Sequence, residues 1–161
     1  MNQDPIRSHL VRLLNARGAH VSVHEVLARF DYRLLGRKPP GAPYTPWELF
    51  EHMRLAQWDI LEFSRDPNHV SPNFPDGYWP EKSAPKNQAE WDEKKSRFLS
   101  ELAQMIGLVE HENADLFAAL AHGTGQTLAR EAMVVADHNA YHLGQMVLLS
   151  KMLTSESTES S

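Results

Sequence analysis

The chain has 161 residues, 16 Lys and Arg against 21 Asp and Glu for a net charge of −5, and a pI near 6.0; with no Lys/Arg-rich tract or basic helix face, this excludes the phosphate-backbone footprint of a nucleic-acid-binding protein. No apolar run approaches the roughly eighteen residues that span a bilayer, and the length suits one soluble domain with one substantial core. The absence of Cys excludes disulfides, thiolate ligands and a cysteine nucleophile, so sulfur chemistry would need a thiol brought by a substrate.

The polar start Met1-Asn2-Gln3-Asp4 does not read as a signal peptide, so the expectation is a cytoplasmic protein. Asp4-Pro5 opens a helix that turns Ile6, Leu10, Leu13 and Leu14 inward and ends near Gly18. Ser22 and Glu25 form a capping box for a shorter helix through Val26, Leu27, Phe30 and Leu34, stopped by Gly36 and Pro39-Pro40-Gly41. Thr45-Pro46-Trp47-Glu48 combines a capping Thr, a Pro at the first helical position and a Glu three residues after the cap. From there Leu49, His52, Met53, Ala56, Ile60 and Phe63 share one face through about residue 65.

Residues 66–87 hold five prolines and the aromatics Phe74, Tyr78 and Trp79 with almost no period. They read either as a connection between helices or as a wall or lid over a site. A helix resumes at about Gln88 and carries Trp91, Phe98, Leu102 and Met105 to about Leu108. A short helical segment from Ala114 to Leu120 precedes Gly123 and Gly125. The last helix spans about Thr127 to Leu153, with Leu128, Ala132, Val135, Met146, Leu149 and Leu153 on its inward stripe. Thr154 to Ser161 is expected to be a disordered tail. This sustained helical periodicity, with no convincing alternation of period two, predicts one all-α bundle over residues 1–153.

Three histidines concentrate the chemistry. His138 and His142 lie one turn apart on the buried stripe of the last helix, so their imidazoles point the same way. His52 lies on the inward face of the Thr45 helix. Neutral imidazole binds zinc, nickel and iron, and three on facing helices would leave positions for water or substrate, as in catalytic rather than structural sites. Asp59, Glu131, Asn139 and Gln145 are candidates to support the imidazoles. Glu48 is close enough along the helix, but its capping role accounts for it. Asn139 also stands where a His-Glu-x-x-His metalloprotease carries its general base, which makes peptidase chemistry a poor fit. His9, His20, His24, His69, His111 and His122 have no partners at ligand spacing and read as surface or packing residues.

The blocks Thr45-Pro46-Trp47-Glu48-Leu49-Phe50-Glu51-His52 and His138-Asn139-Ala140-Tyr141-His142-Leu143-Gly144-Gln145 resemble the DinB/YfiT-like metalloenzyme superfamily, with order and spacing similar over roughly residues 4–153. The resemblance implies a four-helix bundle of up-down-down-up type with short extra helices and a long Pro-rich loop. It implies a divalent transition metal on His52, His138 and His142, with zinc or nickel ahead of iron, and a homodimer. Members with assigned activities are transferases or isomerases that use low-molecular-weight thiols such as bacillithiol or mycothiol.

Three neutral ligands leave the charge of an ion uncompensated, which favours an anion beside it. One reading is a transferase that aims a small-molecule thiol, held as thiolate, at an electrophile. A second is a hydrolase in which metal-bound hydroxide attacks an ester or amide. A third is a non-catalytic metal-binding bundle.

Overall fold

A computed structural model describes residues 5–16 and 18–159, with side chains described to Ser155. Met1–Asp4, and with them the expected cap at Asp4, lie outside the described residues. Four long helices form the body: α1 (Pro5–Leu14), α3 (Pro46–Arg65), α4 (Gln88–Glu110) and α5 (Leu128–Glu159), with the one-turn-scale α2 (Val23–Leu27) between the first two. Among the described residues there is no strand, only an isolated bridge between Ala119 and Thr127.

Side-chain contacts fix the helix directions. Phe50 meets Trp91 and Phe98, Gln57 bonds the Phe98 carbonyl and Arg65 bonds Gln104, so α3 and α4 run parallel. His52 meets His142 and His122, just before α5, meets the Phe63 carbonyl, so α5 runs opposite to α3. Arg7 at the start of α1 donates to the carbonyls of Val109, His111 and Ala114 at the end of α4, which makes α1 antiparallel to α4. The result is an up-down-down-up bundle. Arg7 also satisfies carbonyls that the end of α4 leaves without helical donors.

Local chemistry explains the boundaries. Thr45 Oγ1 accepts from the Glu48 amide at 3.1 Å while Glu48 Oε2 accepts from the Thr45 amide at 2.7 Å, the reciprocal box expected from the sequence. Ser22 and Glu25 do the same for α2. That helix stops at Leu27 rather than continuing towards Leu34, because Asp31 caps a separate 3-10 turn at Tyr32–Leu34 through the Arg33 amide. α1 closes at Leu14, short of Gly18, and Ala16 takes a positive φ of 51°. Only Leu10 and Leu14 of its expected inward residues are buried; Ile6 and Leu13 sit at the flanks of the stripe and are exposed. Ala114–Leu120 is not helical, since Asp115 Oδ1 takes the Phe117 and Ala118 amides in a local turn.

Two readings of the C-terminus and the long loop change. α5 continues to Glu159, so the segment expected to be a disordered tail is helical as far as it is described; Ser160 and Ser161 lie outside. No Gly or Pro falls between Thr154 and Glu159, and Thr154 and Ser155 bond back to carbonyls of the preceding turn. The 66–87 loop carries a 3-10 turn at Asp76–Tyr78 and a cis Phe74–Pro75 peptide. Phe74 is 86% exposed, so it covers no core, whereas Tyr78 and Trp79 turn onto α3.

The core runs the length of the bundle. Phe50, Phe98 and Trp91 interlock between α3 and α4, and Ala132, Val135, Leu143, Met146 and Leu153 form the buried stripe of α5. No helix is long and apolar enough to cross a membrane, among the described residues.

Candidate metal centre

The capping box at Thr45 sets the phase of α3 and so places His52, in its second turn, against the middle of α5. There His138 and His142 present their rings one above the other, with centroids 4.4 Å apart. The His52 ring lies 5.0 Å from His138 and 4.8 Å from His142. One ligand nitrogen from each of the three falls within 4.8 Å of the others.

The tautomers are prepared from behind. His52 Nδ1 donates to the Tyr78 carbonyl at 3.0 Å, which places the lone pair on Nε2. His142 Nδ1 lies 2.6 Å from Gln145 Oε1, an amide oxygen that accepts the same way and again frees Nε2. His52 Nε2 and His138 Nε2 approach to 3.2 Å. Two nitrogens on a tetrahedral ion at zinc–nitrogen bond lengths would be roughly 3.3 Å apart. Without an ion His138 Nε2 can donate to the His52 Nε2 lone pair across this gap, and a cation there would replace the shared proton with a bond to each nitrogen. The donor set therefore fits a divalent transition metal.

Electrostatics agree. Burial pushes the His138 pKa down to about 4, helped by His142 and His52. Burial also lowers His52, partly offset by its bond to the Tyr78 carbonyl, and lowers His142, partly offset by Gln145. All three rings are thus neutral at physiological pH, the form a metal requires.

The supporting residues divide. Gln145 touches a histidine directly. Asp59 does not: its Oδ2 accepts from the Tyr78 hydroxyl and its Oδ1 from His69 Nε2, both at 2.7 Å. It thereby anchors the residue whose carbonyl holds His52. Burial first, and then the Asp59 bond and charge, push the Tyr78 phenol up to about 12. Glu131 is buried but pairs with Arg130 at 2.5 Å, away from the cluster; two turns of helix carry it too far from His138. Asn139 points to the bundle interior, where its Nδ2 donates to Gln57 Oε1 at 2.9 Å. Neither of these two supports an imidazole.

Sequence reasoning gave no site role to His69, and Trp79 entered it only as part of a covering loop. His69 is the half-buried partner of Asp59 and meets the Trp58 ring edge-on. Trp79 stacks on His52 at 4.2 Å with an interplanar angle of 7°, and Tyr44 stacks on its other face at 4.3 Å. Both residues come from the irregular loop, where no spacing rule predicts a neighbour; the run of aromatics among prolines was the available signal. The loop is therefore a wall of the site, at least over Tyr78 and Trp79.

No curated protein and no solved structure matches the chain. The DinB superfamily matches residues 17–146, a span that includes all three histidines, and the chain belongs to that superfamily.

Proposed function

We propose that the protein is a divalent-metal-dependent enzyme that transfers a low-molecular-weight thiol to an electrophilic small molecule. The observation that carries this reading is a metal-ligand group made of three neutral imidazoles with no carboxylate among them, in a chain without Cys. His52, His138 and His142 would hold the ion, and zinc or nickel suits their nitrogen donors. When bound, the ion supplies uncompensated positive charge that lowers the pKa of a thiol and keeps it as thiolate at neutral pH.

The chain's own residues prepare the place. The Tyr78 carbonyl and Gln145 aim two of the imidazoles, and Trp79 shields one face of His52 from water. In the reaction the thiol releases its proton to solvent, a sulfur–carbon bond forms, and the bond to the leaving group breaks with the electron pair going to that group. No side chain is needed as nucleophile.

The test is metal analysis of untagged protein followed by thiol titration of the cobalt-substituted form. Glutathione, coenzyme A, bacillithiol and mycothiol form the panel, and a sulfur-to-metal charge-transfer band is the expected response. A flat spectrum with all four would overturn thiol use, and hydrolysis of an aryl ester without thiol would identify a hydrolase instead.

A further inference from the structure

Between the turn at residues 41–44 and the C-terminal half of α5 lies a cavity of about 240 Å³. Ala42 and Tyr44 line it from the turn, and Gln145, Leu148, Leu149 and Met152 line it from α5. The four α5 residues fall at i, i+3, i+4 and i+7 and so share one helix face. Gly41, with φ of +78°, supplies the left-handed residue that turns the chain here. Apart from the Gln145 amide and the Tyr44 hydroxyl, these side chains are apolar.

Two of the wall residues reach the histidines, Gln145 directly and Tyr44 through Trp79. Gln145 Oε1 is committed to His142 Nδ1, while its amide nitrogen bonds no other described residue and keeps two N–H donors beside the cavity. Tyr44 stacks on Trp79, and Trp79 stacks on His52. A ligand that moved Gln145 or Tyr44 would therefore move the supports of two metal ligands.

We propose that this cavity binds a short alkyl chain bearing an oxygen acceptor, and that its occupancy is coupled to metal binding through Gln145 and the Tyr44–Trp79–His52 stack. The volume lies just below the roughly 300–1,000 Å³ usual for small-molecule pockets, which suits a ligand of a few carbons. Apolar walls favour the chain, and one amide donor orients its polar end. The binding half of the proposal stands by itself, whereas the coupling half rests on the metal reading above.

The experiment titrates n-alkanols from 1-butanol to 1-octanol into metal-free protein and follows the Gln145 side-chain amide by ¹H–¹⁵N NMR. Zinc affinity is then measured by chelator competition with and without saturating 1-hexanol. Affinity should rise about fourfold per added methylene and level off when the cavity is full, the Gln145 amide should shift, and zinc affinity should change at least twofold. Leu148 is 58% exposed, so Leu148→Glu keeps the fold while placing a charge at the rim; it should weaken alkanol binding at least tenfold.

Affinity independent of chain length, or an unmoved Gln145 amide, overturns the site. Alkanol binding with unchanged zinc affinity overturns the coupling. Alkanol binding to a protein that takes up no zinc overturns the metal reading and leaves the site standing. If the wild type sediments as a dimer that Leu148→Glu or alkanols dissociate, the cavity belongs to an interface between copies and the proposal fails.

Discussion

Asp59 offers the sharpest test of how the loop serves the metal centre. Asp59→Ala removes the acceptor for two donors at once, the Tyr78 hydroxyl and His69 Nε2, each at 2.7 Å. The His69 side chain is only 9% exposed, so its N–H gains little compensation from water. At about 1–3 kcal/mol for a buried group left unpaired, and less for the half-buried Tyr78 phenol, the stability loss should be roughly 1–4 kcal/mol. Tyr78→Phe keeps the ring, removes one donor and leaves Asp59 bonded to His69, so it should cost about 1–2 kcal/mol. Both changes loosen the Tyr78 carbonyl that holds His52, and loss of such support weakens a metal site about 10–100-fold. Because they break the same bond, their effects on zinc affinity should not add in the double variant. Urea denaturation of the metal-free protein measures the first quantity and chelator competition the second. Asp59→Ala with a lower stability but zinc affinity within twofold of wild type would refute the reasoning, since the clamp would then hold the loop without positioning the histidine. The phenol gives an internal check: folding holds its proton to about 12 instead of 10, so this contribution is intact below pH 10 and lost as the pH rises towards 12.

Single replacement of His52, His138 or His142 by Ala should lower zinc affinity by at least a hundredfold while far-ultraviolet circular dichroism stays helical; stoichiometric zinc in the triple variant would show that the ion lies elsewhere. The metal-free protein should lose stability as the pH falls from about 6.5 towards 4, because His138 is held neutral down to about 4 while its unfolded form takes a proton near 6.5. Bound zinc should steepen that loss, since proton and metal compete for the same nitrogens, and thermal melts across this range with and without zinc measure it. A Cβ at Gly77 would lie 2.7 Å from Pro72 Cβ, so Gly77→Ala should cost about 1–3 kcal/mol of stability and displace the adjacent Tyr78; unchanged zinc affinity in that variant would argue against loop control of His52.

The parts legible in the sequence were those governed by helical periodicity and capping. Thr45 and Glu48 fixed the start of α3, and with it the inward face of His52. The four-residue spacing of His138 and His142 placed both on one stripe of α5. Gln145, one turn beyond His142, was within reach by the same rule. What the spacing could not supply was the partner of a side chain on another element. Asp59, a candidate to accept from an imidazole of the cluster, instead holds Tyr78 and His69, and spacing could not show this because both come from a loop without period. Glu131 and Asn139 satisfied the spacing yet found other partners, Arg130 and Gln57. The disordered tail was inferred from composition, but hydroxyl back-bonds to the preceding turn are compatible with a continued helix.

The Gln57–Asn139 pair has a consequence for how the centre is assembled at all. Gln57 is 1% exposed and Asn139 6%. Gln57 accepts from Asn139 on α5 at 2.9 Å and donates to the Phe98 carbonyl on α4 at 2.8 Å, so one amide ties three helices. Leucine-like side chains tolerate sliding of one helix along another, whereas these amides bond only at one offset, and any other leaves them unpaired in an apolar interior at about 1–3 kcal/mol per group. A slip of one turn moves a helix by about 5.4 Å, more than twice the length of a metal–imidazole bond. Asn139 Oδ1 is itself buried without a partner, a stability cost carried inside the lock. The interior amides thus act as an alignment key, excluding slipped packings in which His52 would face a different turn of α5 from the one bearing His138 and His142.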